Sequence, residues 1–303
     1  MAAVLLATLL GLALFAPAFF EPPPLLSRLT AETPALIVAL AMALVMICRQ
    51  IDISVGSVFA VSAVLGGTLL AAKVPLLLAM PIVLLAGAAM GAVNGWLVTG
   101  LGLPSIVVTL ATMVTWREAL RLWQQGRFIN LPDAVQWFGL SQTGGQVALI
   151  VASLSLATAM AWMMRNLAGG RQIHAVGSDA EAARLAGINP HRVTFGVFVL
   201  MGAMAALASM ANLVQSPQVD PNSGTGMELK AIAAAVVGGV AVTGGRGRLV
   251  GVFLGLLLLA TINPALTYLH VEAYWEKAIQ GSVIILAIVM DRRAVLRTKT
   301  PQT

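Results

Sequence analysis

Charged residues are scarce in this 303-residue sequence: Asp, Glu, Lys and Arg make up only 10% of it, whereas hydrophobic residues make up 59%. A soluble domain normally has about 25% charged residues. The mean hydropathy is correspondingly high, at +0.91. A water-soluble fold cannot bury so much apolar side chain, so most of it must face lipid. Because a backbone in lipid must satisfy its own hydrogen bonds, the sequence predicts an all-α integral membrane protein.

Groups that catalyse reactions or bind metals are scarce too. The single cysteine, Cys48, excludes an intramolecular disulfide and a zinc site built from paired cysteines. The three histidines lack metal-ligand spacing, and GGRGR at 244–248 lacks the lysine and the hydroxyl of a phosphate-binding loop. The net charge of +6 forms no basic stripe with interleaved aromatics, which argues against a nucleic-acid partner. We therefore predict no catalytic residue and no metal site in this chain.

Uncharged stretches between the charges predict about ten transmembrane segments. A helix needs about 20 residues to cross the hydrocarbon core, so the stretch 74–116 must hold two spans, split at 100–104. The first stretch has no Lys or Arg before its apolar run, which predicts a retained span rather than a cleaved signal peptide. The candidates are 1–20, 33–48, 53–72, 74–116, 134–164, 193–219, 231–245, 249–271 and 278–290. Residues 1–292 are interpreted as one transmembrane domain, followed by a short basic tail at 293–303.

Three of these segments, 33–48, 231–245 and 278–290, are shorter than a full span, and Gly and Ser cluster beside the first two. Irregular backbone at membrane depth is tolerated only where it faces protein or a water-filled cavity. The pattern therefore predicts broken or re-entrant helices at 49–57 and 226–247. Ordinary helices with ragged ends are the alternative.

Basic residues predict the orientation of the chain. Ten of the 18 Lys and Arg lie in the loop 165–192, the turn near 246 and the tail, which predicts that these three segments are cytoplasmic. The loops expected to face outward are 21–32, 117–144, 214–227 and 269–274. Arg117, Arg121 and Arg127 oppose this orientation, so we expect them to face a partner or an aqueous vestibule.

The loop sequence GSDAEAARLAGINPHR, residues 177–192, predicts a short helix outside the bilayer. Ser178 and Glu181 have the spacing of a capping box, Gly187 suits the position after the helix, and Pro190 prevents its continuation. The predicted helix, 179–186, carries small and apolar residues. Such a helix could dock into a groove on another protein, or simply connect two spans.

Glu181-Ala182-Ala183 followed by Gly187 resembles the EAA-x-x-x-G signature of ATP-binding-cassette importer permeases. The Ile-x-Leu-Pro continuation of the maltose-type permeases is absent, and Ile188-Asn189-Pro190 stands there instead. The chain is more similar to the ribose, xylose, rhamnose and autoinducer-2 branch of the branched-chain-amino-acid/ribose permease superfamily. The resembling segments are IDISVGS at 51–57, NGWLV at 94–98, LPSIVVTLATM at 103–113, AVGSDAEAARLAGI at 175–188 and MELKAIAAAVVGGVAVTGGRGRLVG at 227–251.

This resemblance implies a multi-pass permease subunit in a bacterial inner membrane. Its implied partners are a cytoplasmic ATPase subunit that binds ATP and Mg, a second permease subunit, and a periplasmic or extracellular sugar-binding protein. This chain would hold no cofactor of its own. The residues implied to contact the ATPase are Ser178, Glu181, Ala182, Ala183, Leu185, Gly187 and Ile188. The implied cargo is a pentose, a deoxyhexose or an autoinducer-2-type polyol.

Polar residues inside apolar segments are the candidates for lining a pathway, because a charge at the bilayer centre costs at least about 2.5–3.5 kcal/mol. These candidates are Asp52, Ser54, Ser57, Asn94, Thr109, Thr112 and Glu228. For two of them capping is an equal alternative: Asp52 could cap the next helix through the amide of Ser54 or Val55, and Glu228 could cap the helix that begins there. An ion-coupled secondary transporter is the main alternative function, although it usually shows internal repeats and ionisable relays in its spans.

Overall fold

The computed structural model describes residues 2–15 and 17–268, with positions 275, 278, 281, 282 and 285 beyond them. Residues 2–15 and 17–268 form twelve α-helices and one short antiparallel ribbon, Ile129–Asn130 with Gln218–Val219. The helices are α1 Ala2–Phe15, α2 Pro22–Ala31, α3 Thr33–Ile47, α4 Val55–Ala71, α5 Leu76–Gly100, α6 Ser105–Gln124, α7 Gln142–Asn166, α8 Ala168–Ser178, α9 Ala180–Leu185, α10 Pro190–Leu213, α11 Met227–Val237 and α12 Leu249–Tyr268. The predicted domain boundary at 292 and the tail 293–303 lie outside the described residues.

The helical membrane fold predicted from composition is confirmed. Four helices of the described chain are long and apolar enough to span a bilayer: Pro22–Ile47, α5, α7 and α10. The predicted split of 74–116 is confirmed as well, because α5 ends at Gly100 and α6 begins at Ser105. The proline before Ser105 disfavours helix in the residue that precedes it, which accounts for the break.

Helix α3 is the centre of the fold. All fifteen of its residues are buried, and it contacts α7, α8, α10, α11 and α12. A helix that is apolar on every side is suited to this position. The predicted span 33–48 is not short, because α2 continues α3 outward through Glu32 into one apolar helix, Pro22–Ile47. The extension is not evident from the sequence, because Arg28 and Glu32 interrupt the uncharged run.

The first broken region, predicted at 49–57, consists of the seven residues 48–54 between α3 and α4. Arg49 has a left-handed backbone conformation with φ of 65°, which turns the chain away from the axis of α3. Asp52 and Ser54 follow within the same segment, and both are fully buried. The polar part of the break is therefore packed inside protein, as irregular backbone at membrane depth requires.

The second broken region differs from the predicted stretch 226–247, because α11 occupies the first half of that stretch. The irregular parts are the approach segment 214–226 and the turn 238–248. The approach segment runs along α4, since Val219 packs against Gly67 near the end of that helix and Gly224 lies against Gly56 near its beginning. Helix α11 has 11 residues, or about 16 Å of length, which is roughly half a membrane. Segment and helix together form a broken span, because the segment starts at a loop predicted to face outward and the helix ends at the turn predicted to be cytoplasmic.

Candidate functional site

The short external helix α9 begins differently from the predicted capping box. Its N-cap is Asp179, whose Oδ1 accepts hydrogen bonds from the amides of Glu181 and Ala182 at 2.9 and 3.0 Å. Ser178 is instead the last residue of α8. The carboxylate of Glu181 does not reach back to the cap but pairs with Arg184, at 2.9 Å from Oε2 to Nε. The predicted roles of Ser178 and Glu181 in capping are therefore wrong.

The end of α9 agrees with the prediction. Gly187 has φ of +83°, the amide of Gly187 donates to Arg184 O, and the amide of Ile188 donates to Ala183 O, both at 3.0 Å. This pair of bonds is a Schellman motif, which stops the helix and satisfies its last carbonyls. Both ends of α9 are thus closed by its own sequence.

The outward surface of α9 is formed by most of the residues predicted to contact an ATPase. Leu185 is 78% exposed and presents a large apolar side chain on this polar loop. Ser178, Glu181, Ala182 and Gly187 are also exposed, whereas Ala183 is buried against the protein and Ile188 is half-buried. The hydrogen bond from Arg184 lowers the pKa of Glu181, which keeps this surface carboxylate ionised. The surface therefore combines one exposed apolar side chain, Leu185, with an ion pair between Glu181 and Arg184.

The predicted pathway residues form a buried polar cluster at the first broken region. Asp52 Oδ1 accepts from the amide of Ser54 at 2.9 Å and from Ser54 Oγ at 2.6 Å. Asn94 Nδ2 donates to Ser54 Oγ at 2.8 Å, and Thr112 Oγ1 donates to Asn94 Oδ1 at 2.9 Å. One chain of hydrogen bonds therefore joins the start of α4 to α5 and α6.

Further bonds attach α6 to the same region. Ser57 Oγ donates to Met113 O at 2.8 Å. Thr109 Oγ1 donates to Ser105 O at 2.8 Å and lies 3.4 Å from Ile51 O. Glu228 is the exception among the seven predicted residues: it stands in the first turn of α11, makes no side-chain cap, and places its carboxylate against Gly56.

The cluster is closed in this conformation. Asp52, Ser54, Ser57, Asn94 and Thr109 are all at most 1% exposed, and their polar groups bond one another or nearby backbone carbonyls. Of the two amides that the sequence offered to Asp52, that of Ser54 makes the bond, although Ser54 is itself the N-cap residue of α4 and the helix has no side-chain cap. Because buried polar groups cost stability unless they are paired, this network holds the backbone break in place. A role in lining the pathway stays a prediction.

Two charged contacts involve residues whose partners the sequence does not reveal. Arg117 Nη1 donates to Ser223 O at 3.0 Å, which attaches α6 to the approach segment. Lys230 Nζ lies 2.7 Å from Glu32 Oε1, which links α11 to the junction of α2 and α3. The sequence indicates these two contacts only by placing a charged residue beside an apolar stretch.

Several basic residues from the segments predicted to be cytoplasmic lie around one cavity. Arg165, Arg246 and Arg248, from the predicted cytoplasmic loop and turn, line one cavity of about 1150 Å³ together with His174. The ribbon likewise joins the loops 117–144 and 214–227, both predicted to face outward. Among the described residues no group of three His, Cys, Asp or Glu could hold a metal ion.

A polytopic helical bundle with a broken span and a capped external helix is the architecture of a membrane transport subunit. The chain belongs to the family described as "Branched-chain amino acid transport system / permease component", which it matches over residues 25–288. The protein named "Autoinducer 2 import system permease protein LsrC" of Enterobacter sp. (strain 638) is 38% identical over 85% of this chain and 76% of its own. The proteins of the same name from Escherichia coli and Salmonella paratyphi B are each 37% identical over 85% of this chain, and over 76% and 75% of their own. No solved structure gives a significant match.

These matches confirm the resemblance stated from the sequence motifs. The chain is the permease subunit of an ATP-binding-cassette importer and a multi-pass protein of the bacterial inner membrane. The alternative of an ion-coupled secondary transporter is set aside, because the family match covers nearly the whole bundle.

Proposed function

We propose that this permease imports autoinducer 2 or a closely related small polyol, delivered to its outer face by a soluble binding protein. The observation that supports this cargo is the identity of 37–38% to autoinducer-2 import permeases over 85% of the chain. Pentoses and deoxyhexoses are the alternatives, since the motifs of their permeases look alike in sequence.

In this proposal ATP and Mg bind a separate cytoplasmic subunit, and α9 is the helix that docks into this subunit. The supporting observation is the exposure of Leu185 on a helix closed at both ends by its own caps. A rigid helix loses little conformational entropy on docking, and a single apolar anchor can supply much of the binding energy. This chain then contributes no catalytic group.

A second permease subunit completes the pathway in this proposal. Helix α6 turns Thr109 and Thr112 toward the polar cluster, while Ile106, Val107 and Val114 on its other side are exposed. An apolar helix face of this kind packs against lipid or against another subunit. We propose that the cluster of Asp52 to Thr112 opens toward the pathway when the two subunits move apart.

The docking of α9 is tested by Leu185→Asp, with Leu140→Asp as the matched control. Leu140 is 56% exposed in a loop predicted to face outward, so its substitution should leave the cytoplasmic face unchanged. We expect Leu185→Asp to weaken co-purification of the ATPase subunit by about tenfold or more, as removal of an apolar anchor typically does. Equal retention of the ATPase by both variants would refute the docking surface.

The cargo is tested by competition in proteoliposomes that contain the permease, its ATPase and its binding protein. Labelled autoinducer 2 is supplied outside with an excess of unlabelled ribose, rhamnose or autoinducer 2. The proposal predicts that only autoinducer 2 competes for uptake. Competition by ribose or rhamnose at equal concentration would reassign the cargo to a sugar without changing the transporter class.

A further inference from the structure

Three chain segments meet in direct main-chain contact beneath α9. They are the end of α8, the end of α3 and the turn between α11 and α12. The contact is made at Gly177, Gly244 and Gly245, which we call the glycine joint.

Gly177 is the close-packed centre of the glycine joint. A Cβ added there would overlap the carbonyl oxygen of Ile47 and stand 2.8 Å from the amide nitrogen of Gly245. Any larger residue must therefore push α8 away from the end of α3. Because Gly177 has no side chain, the backbones of α8 and α3 are in direct contact, with no side chain between them.

The turn side of the glycine joint depends on two left-handed residues. Gly244 and Gly245 have φ of +82° and +74°, a conformation that L residues with side chains rarely adopt. The amide of Gly245 donates to Ile47 O at 2.8 Å, and His174 Nδ1 donates to Gly245 O at 3.0 Å. Gly245 is thus bonded to α3 through its amide and to α8 through its carbonyl.

The position of the glycine joint relates it to both broken regions. Ile47 is the last residue of α3 and precedes the segment 48–54 that carries Asp52. The turn 238–248 directly follows α11, the helix of the broken span. On the other side, α8 leads into α9 through Asp179 alone, so α9 and the glycine joint are separated by about one helical turn.

We propose that the glycine joint transmits movement of α9 to the α3–α4 break and to α11 at the same time. This inference rests on the proposed docking of the ATPase subunit at α9. Gly177, Gly245 and His174 are then positioning residues for coupling: they touch neither cargo nor ATPase, but they determine whether a displacement of α9 reaches the pathway. Contacts through backbone oxygens and nitrogens are suited to this role, because packed main chain cannot absorb the displacement by changing rotamers.

The test measures cargo taken up per ATP hydrolysed, in proteoliposomes of the full transporter. His174→Ala removes the bond between α8 and the turn without adding a clash, and Gly177→Ala separates α8 from α3. The matched controls are His191→Ala, which removes a similar bond of 3.0 Å to Thr99 O, and Gly169→Ala, where an added Cβ on α8 meets nothing within 4 Å.

The proposal predicts that His174→Ala and Gly177→Ala lower uptake per ATP by about fivefold or more, the lower end of ordinary coupling between sites. Co-purification of the ATPase subunit and its basal hydrolysis should equal those of the controls. If Gly177→Ala fails to fold, as judged by its elution profile, His174→Ala decides the question.

Unchanged uptake per ATP in a folded His174→Ala transporter would overturn the proposal. Loss of the ATPase subunit from His174→Ala would overturn it as well, since the glycine joint would then belong to the docking surface. Failure of the proposed docking itself is separately visible, because Leu185→Asp would then retain the ATPase subunit.

Discussion

Two serines at the start and in the middle of α4 offer a matched test of the buried polar cluster. Ser54 and Ser62 are both 0% exposed, but they differ in their bonds. Ser54 Oγ donates to Asp52 and accepts from Asn94, whereas Ser62 Oγ is buried without a hydrogen-bond partner among the described residues. The same substitution, Ser→Ala, therefore removes two bonds at one site and none at the other.

The magnitude follows from the kind of bond lost. A side-chain hydrogen bond between membrane helices contributes about 0.6 kcal/mol on average and up to about 1.7 kcal/mol, and bonds to charged groups contribute more than neutral ones. Ser54→Ala loses one bond to a carboxylate and one to an amide. We expect a loss of about 2–3 kcal/mol in the free energy of unfolding. Ser62→Ala should change it by less than about 0.5 kcal/mol, because no bond is broken.

The assay is reversible unfolding of the purified permease in mixed detergent micelles, followed by circular dichroism, with both variants measured beside the unsubstituted protein. A difference between the two variants of less than about 0.5 kcal/mol would refute the argument that the cluster stabilises the break. Destabilisation by Ser62→Ala equal to that by Ser54→Ala would refute it equally, since the effect would then reflect packing alone.

Three further predictions concern other parts of the chain. Lys230→Met should destabilise the protein by about 1–3 kcal/mol, because Glu32 then remains charged and poorly solvated. Adding Glu32→Leu should recover most of this loss, and a double variant that does not recover would contradict the pairing. Gly187→Ala should lower the free energy of unfolding by about 1–2 kcal/mol through the strain of the positive φ. A clash is not the cause, since an added Cβ meets nothing within 4 Å, and unchanged thermal stability would contradict the prediction. A cysteine at Ser178 in a Cys48→Ala background should resist membrane-impermeant thiol reagents in intact cells, and rapid labelling from outside would reverse the topology.

The elements predicted from sequence are those governed by local chemistry. Gly187 and Pro190 predict the end of α9 because a left-handed residue and a proline act within one turn. The start of α9 was misplaced by one residue because Ser178 and Asp179 are both good caps and adjacent. The choice between them depends on α8, which runs on to Ser178, and the length of that helix is not encoded in the capping sequence.

Long-range pairings could not be predicted in the same way. Asn94 and Ser54 are 40 positions apart, and nothing in either local pattern indicates that their side chains bond. The path of the approach segment along α4 depends on the absence of a side chain at Gly56, which the sequence reveals only as one more glycine. The sequence shows the residues of the cluster as polar groups within apolar segments. It does not show which hydrogen bonds they form.

The measurement that tests the central claim most directly is the energy source of uptake. Proteoliposomes containing the permease, its ATPase subunit and the binding protein are loaded with ATP and Mg on the ATPase side, and autoinducer 2 is supplied on the other side. The account predicts uptake that requires ATP and the binding protein and that persists when ionophores collapse all ion gradients. Uptake without the ATPase subunit, driven by a proton or sodium gradient, would contradict it.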